Sequence, residues 1–246
     1  MRLQTILSII LPVFVGWQRP PSNPYARIAD IPCPPGFERV PAPPGSFGAW
    51  LRELRLKKDN TVYLYNGMPK RNQSAQFAVI DISTGNKDLQ QCADAVMRLH
   101  AEWLYSRQRL ADIDFTDNAQ THYRLKASAG RKEFDQYLEK VFSNCGTLSL
   151  SRQLQAKALA GLAPGDVLIL GGSPGHAMLV TDVAVNKNGQ KIFLLCQSYM
   201  PAQDVHIVVN PQNSSLSPWY EVNGGPLIET PEYTFTINQL KTWPGP

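Results

Sequence analysis

Apolar and polar positions recur along this chain with two periods, helical in the first two thirds and strand-like after that. From Ser46 to Leu56, Phe47, Trp50, Leu51 and Leu54 return at helical intervals, which predicts a helix with Ser46 as its N-cap. Thr61 to Tyr65 and Gln76 to Ile82 are rich in β-branched and aromatic residues and predict strands. The longest helical pattern opens after Gly85-Asn86-Lys87-Asp88, with Leu89, Cys92, Ala93, Val96, Leu99 and Trp103 on one stripe. Asp88 followed three residues later by Gln91 is a capping-box pattern for its start. Phe134, Tyr137, Leu138, Val141 and Phe142 mark a second amphipathic helix, and Ser149 to Leu159 predicts a third. Asp166–Leu170, His176–Val180, Ile192–Cys196, Val205–Val209 and Tyr233–Ile237 then read as strands. Helices first and a strand meander second predict an α+β fold, with N-terminal helices packed on an antiparallel sheet.

The start of the chain departs from both periods. Arg2 precedes an apolar stretch from Ile6 to Trp17, broken only by Ser8, Pro12 and Gly16. A membrane-crossing helix needs about 20 apolar residues, so this shorter run suits a signal peptide or an N-terminal anchor. The expectation is an exported, periplasmic or envelope-associated protein that meets a membrane only through residues 1–17. Residues 18–45 are proline-rich (Arg19-Pro20-Pro21, Cys33-Pro34-Pro35, Pro41 to Pro44) and read as a linker or extended lead-in, leaving 46–246 as the folded domain. Cys33 lies far from the apolar run and lacks a lipobox.

Composition narrows the function classes. A 43% share of hydrophobic residues supports a sizeable core, and 18% charged residues is not the signature of disorder. Net charge is +4 with no lysine- or arginine-rich run among aromatics, so nucleic-acid binding is not indicated. The mild basicity suits an anionic cell-envelope substrate. Cys33, Cys92, Cys145 and Cys196 lack zinc-ligand spacing and contain no Cys-x-x-Cys. If one is a nucleophile, the other three allow at most one disulfide. Asp112, Asp114 and Asp117 lie close together but lack the glycine and glutamate of an EF-hand. No cofactor or metal is called for.

Cys92 falls in the first turn of its predicted helix, where unpaired N–H groups and the helix dipole favour a thiolate. It also falls on the apolar stripe, where a core cysteine would sit. His176 follows Pro174-Gly175 at the mouth of a strand and can hold an imidazole rigidly over a facing helix tip; the plainer alternative is a satisfied structural histidine. Gln197 ends the next strand and is the candidate to orient His176, while Gln90 and Gln91 are candidate donors to an oxyanion. Cys196 is the rival nucleophile, without the activation of a helix end.

Two resemblances attach to these residues. Gly165-Asp166-Val167-Leu168-Ile169-Leu170, then Gly175-His176-Ala177-Met178-Leu179-Val180, then a strand ending in a polar residue, resembles the sheet of NlpC-type and CHAP-type papain-like cysteine peptidases over roughly residues 85–200. That resemblance implies a papain-like fold, with Cys92 as nucleophile, His176 as its base and Gln197 as the third residue. It also implies a thiol hydrolase or acyl transferase acting on a peptide or peptidoglycan-like substrate. NlpC-type enzymes usually carry an aspartate before the cysteine and serine-glycine after it; here the neighbours are Gln91 and Ala93-Asp94. Asp88–Leu99, Gly171–Ala177 and Gln197–Gln203 are also similar to an uncharacterised family of bacterial secreted proteins. A papain-like scaffold serving as a binding module, without turnover, is the alternative function.

Overall fold

The computed structural model describes residues 22–222 and 225–245, so the apolar stretch 6–17 and the signal or anchor expected there lie outside the described residues. Among the described residues thirteen strands and four α-helices follow in the order β1 (Phe37–Arg39), α1 (Phe47–Arg52), β2 (Gln76–Val79), α2 (Cys92–Ser106), β3 (Asp114–Thr116), β4 (His122–Arg124), α3 (Arg131–Asn144), α4 (Thr147–Gln153), β5 (Gln155–Ala156) and β6 (Val167–Leu170). They continue with β7 (His176–Asn186), β8 (Lys191–Gln197), β9 (His206–Val208), β10 (Tyr220–Glu221), β11 (Leu227–Glu229), β12 (Thr234–Thr236) and β13 (Leu240–Thr242). The architecture is mixed α+β around one large antiparallel sheet ordered β2-β9-β8-β7-β6-β13-β5, with β1 added to β7 and β10 to β8.

Alternation along the central strands divides the core in two. Ala177, Leu179, Leu194, Cys196 and Ile207 face the layer that contains α2, with Ala93, Val96, Met97 and Leu99 packed against them. Met178, Val180, Phe193, Leu195 and Val208 face the other side, which Tyr220, Ile228 and Phe235 cover. Because both faces are buried, β7 and β8 read as nearly continuous apolar runs, the pattern that makes them visible in the sequence.

Several elements differ from their sequence pattern. The long helix starts at Cys92 rather than at Asp88, because Gln91 is the extended N-cap and its N–H donates to Asp94 Oδ2 at 3.0 Å. Asp88 instead accepts from Ala202 N–H at 2.6 Å and Gln91 Nε2 at 3.1 Å, tying the 198–203 turn to the helix tip. The third helix ends at Gln153, and Gln155–Ala156 pairs with β13. Thr61–Tyr65 makes only isolated bridges, from Tyr63 to Pro69 and from Leu64 to Gln203. The strand predicted over Tyr233–Ile237 is Thr234–Thr236, paired with β11 outside the large sheet.

From residue 22 onward the proline-rich segment is packed rather than loose. Ile28 and Ile31 are buried in the main core, β1 pairs with β7, and the Trp219 indole N–H donates to Pro32 O at 2.8 Å. All four cysteines are free thiols. Among the described residues no helix is long and apolar enough to cross a membrane.

Candidate functional site

Cys92 is the first residue of α2. Ala95 is the first to bond back along the helix, its N–H reaching Gln91 O at 2.9 Å, so the N–H groups of Cys92 and Ala93 precede the helical ladder. Burial pushes the Cys92 thiol above its ordinary value, and the backbone N–H groups of Ala93, Ala177 and Cys92 offset that only in part. The helix-end activation expected from the sequence is present, but desolvation outweighs it, and the resting group is a thiol rather than a thiolate.

The opposing wall begins at Gly175. A side chain there would meet Thr147 Oγ1 at 2.6 Å and Leu170 O at 2.7 Å as well as the Gly172 carbonyl, so only glycine brings the chain this close to α4. The Thr147 hydroxyl donates to Gly172 O at 3.0 Å and fixes the same turn. His176 then opens β7 opposite Leu170, with its imidazole among Tyr199, Tyr233 and Phe235. Burial lowers its pKa to about 4.

Hydrogen bonds determine which nitrogen of His176 carries the proton. Its Nε2 lies 2.8 Å from Gln197 Oε1, and Gln197 Nε2 donates to Glu232 Oε2 at 2.8 Å. A carboxylate only accepts, so the Gln197 amide must turn its NH₂ to Glu232 and its oxygen to His176. His176 is therefore the Nε2–H tautomer, with the Nδ1 lone pair free to take a proton. The second amide hydrogen faces His206 Nε2 at 3.4 Å, which is an acceptor because His206 Nδ1–H donates to Asp204 O at 2.8 Å. Lys70 pairs with Glu232, and Asn72 Nδ2 donates to the second Glu232 oxygen at 3.2 Å. Sequence reasoning missed Glu232 and Lys70. They are far apart in the chain, and neither belongs to a helix or strand of the sheet, so no local pattern points to them.

A cavity of 540 Å³ spans the helix tip and the strand entrance, with Cys92, Asp94, Cys145, His176, Tyr199 and Tyr233 in its lining. Cys92 and His176 thus share one cavity, but no hydrogen bond joins them among the described residues. Gln91 also lines it, with its amide committed to Asp88. Gln90 does not. It lines a separate cavity of 230 Å³, where its Oε1 accepts from Arg98 Nη1 at 3.0 Å. Gln90 Nε2 is buried without a hydrogen-bond partner, but Gln90 is absent from the lining shared by Cys92 and His176, and the Gln91 Nε2 in that lining donates to Asp88. Cys196, the rival nucleophile, is buried against the core, and burial pushes its thiol up to about 12.

Among the described residues no group of three or more His, Cys, Asp or Glu is arranged to hold a metal ion. What the cavity presents is a thiol, a neutral imidazole with a fixed tautomer, aromatic walls and a carboxyl, the minimum for nucleophilic chemistry at a carbonyl.

No curated protein matches the chain, and no solved structure does. Residues 28–125 and 116–242 match the family described as "Domain of unknown function (4846)", together taking in the helix tip, the His176 strand and the Gln197–Glu232 pair, and the chain belongs to that family.

Proposed function

We propose that this chain is an exported, papain-like thiol hydrolase or acyl transferase of NlpC/CHAP type that cleaves an amide bond through Cys92 and His176. The observation that carries the reading is a single cavity holding a helix-tip thiol and an imidazole whose tautomer is fixed by Gln197. As the thiol adds to a substrate carbonyl, its proton passes to His176 Nδ1, the S–C bond forms and the carbonyl π pair moves to oxygen. Collapse breaks the C–N bond, and His176 gives the proton to the leaving amine. Water, or an acceptor amine, then adds to the thioester with its proton going to His176, and expulsion of the sulfur returns that proton to Cys92. Gln197 and Glu232 hold the imidazole through these steps. Thiol and imidazole close to hydrogen-bond distance when substrate fills the cavity, as catalytic contacts in apo enzymes commonly do.

The substrate proposed is a peptide bond of the peptidoglycan stem or cross-bridge, on the strength of the papain-like resemblance and of the apolar stretch 6–17 that suits export. Incubating the full chain with stem peptides should release amine, and Cys92→Ala should abolish that release. Equal turnover by Cys92→Ala rejects the mechanism. A second reading, a binding module without turnover, draws on the missing Cys92–His176 hydrogen bond and the raised thiol pKa. It predicts peptide binding without hydrolysis and no labelling of Cys92 by thiol-directed acyl probes.

A further inference from the structure

Of the two glutamines beside Cys92, Gln91 donates to Asp88 and Gln90 lies outside the cavity lining, which leaves open what group would face the oxyanion besides the backbone. The cavity lining also holds a nearly enclosed polar side chain with one unpartnered atom. Asp94, third residue of α2, is 6% exposed. Its Oδ2 is held by the Gln91 N–H at 3.0 Å, and its Oδ1 is buried with no hydrogen-bond partner among the described residues. A buried carboxyl oxygen without a partner is costly in a resting protein, and this one belongs to a residue that lines the same cavity as Cys92 and His176.

We infer that Asp94 is a catalytic residue of the proposed thiol chemistry, working as a neutral carboxylic acid whose Oδ1–H donates a hydrogen bond to the oxyanion formed on a Cys92-bound carbonyl. The role rests on the function proposed above and replaces the one the sequence assigned to Gln90 and Gln91. The Gln91 N–H fixes which oxygen accepts, so the proton resides on the other. No proton needs to leave Asp94: as the S–C bond forms, the oxyanion accepts its hydrogen bond, and as the C–N bond breaks the carbonyl releases it. A preorganised donor in a water-poor site needs no reorganisation at the moment charge appears.

The surroundings support a neutral acid. The titratable groups lining the cavity are Asp88, Asp94, Cys92, Cys145, His176, Tyr199 and Tyr233, with no lysine or arginine among them. Burial pushes Asp94 up to about 8, and backbone N–H groups of Gln91 and Asp94 only partly oppose it. The same logic keeps a buried carboxylic acid protonated as a hydrogen-bond donor in other active sites.

The test is the pH dependence of Cys92 acylation by N-acetylglycyl 4-nitrophenyl ester, followed as nitrophenolate release from the full chain between pH 5.5 and 9.5. The expected wild-type rate falls as pH rises through about 8. A thiolate-limited rate would instead climb there, because Cys92 ionises above its ordinary value. Asp94→Asn keeps the cap through its own oxygen and turns Nδ2–H to the cavity, so it should retain part of the rate and lose the alkaline fall. Asp94→Ala should lose about 10²-fold, the usual effect of one oxyanion donor. A wild-type rate that climbs through pH 8, or an Asp94→Ala rate equal to wild type, overturns the inference. Cys92→Ala separates the two readings: if it still shows the burst, the proposed function fails, and if it alone is dead, only the role of Asp94 does.

Discussion

At the residue scale, burial rather than charge pairing sets the protonation states. His176 and His206 are held to about 4 by desolvation, so both are neutral at physiological pH. Asp94 is shifted the other way, to about 8. These shifts oppose each other in stability. The histidines contribute stability that is present above their unfolded value of 6.5 and is lost as pH falls toward about 4. Asp94 contributes stability that is complete below 3.8 and is lost as pH rises through about 8. Each pH unit inside a window is worth at most about 1.4 kcal/mol per group. His100, which burial holds to about 3, adds a third histidine to the same side, so between pH 7.5 and 5 the histidine losses outweigh the Asp94 gain and the urea midpoint of the wild type should fall. Asp94→Asn removes one side of the balance: it should be more stable than wild type at pH 7.5 and lose stability steeply on acidification. Parallel pH profiles for the two proteins would show that Asp94 is ionised in the folded state. Glu232 offers a second test, because it orients the Gln197 amide. Glu232→Ala frees the amide to flip and present NH₂ to His176 Nε2, which favours the Nδ1–H tautomer and removes the base. Turnover should fall about 10²-fold, within the range that proton-transfer catalysis contributes, and ¹⁵N shifts of the imidazole should report the change of tautomer.

At the element scale, the turn before β7 is the narrowest constraint on the site. Gly175 sits against the Gly172 carbonyl, Thr147 Oγ1 and Leu170 O, so Gly175→Ala must push His176 and α4 apart. The expected cost is about 2–3 kcal/mol, typical of overpacking, with loss of turnover beyond what the stability change explains. Thr147→Val, which removes the hydroxyl bond to Gly172 O and the one the hydroxyl accepts from Gly172 N–H at 3.3 Å, should cost about 1–2 kcal/mol. A Gly175→Ala protein as stable and as active as wild type would show that this turn has slack. The same elements mark what could be read from the sequence. Strands β6, β7 and β8 were legible because both their faces are buried, leaving long runs of β-branched and aliphatic residues between glycine turns. The pattern puts the start of α2 too early because Asp88 and Gln91 have capping-box spacing, while the backbone N–H of Gln91 is satisfied from Asp94. Thr61–Tyr65 has strand composition but no long partner, and pairing is a property of the fold. Cys92, His176 and Gln197 stood out because each sits at an element boundary. Glu232 enters from an irregular turn, and Asp94 looks like an ordinary first-turn acid until its burial is known.

At the scale of the whole molecule, the segment before α1 is part of what holds the central sheet. Asp182, fully buried in β7, accepts from Arg39 Nε at 2.6 Å and Arg52 Nε at 2.7 Å, and Arg39 also donates to Ile31 O at 2.6 Å. One carboxylate thereby joins β7 to β1 and α1, at the point where the β7–β8 register shifts between Val180 and Asp182. A buried carboxylate stripped of a partner is costly, so Arg39→Ala should lose about 3 kcal/mol. Deleting residues 22–36 removes Ile28, Ile31 and the carbonyls that Arg39 holds, while leaving Arg39 and β1 in place. Groups that share partners do not act independently, so the deletion and Arg39→Ala combined should cost less than the sum of their separate effects, by about 1 kcal/mol or more. Chemical denaturation of the two single changes and the combination measures that coupling. If the losses simply add, the proline-rich segment and the Asp182 cluster are separate supports, and the segment is a covering layer whose removal leaves the geometry of β7, and with it the placement of His176, intact.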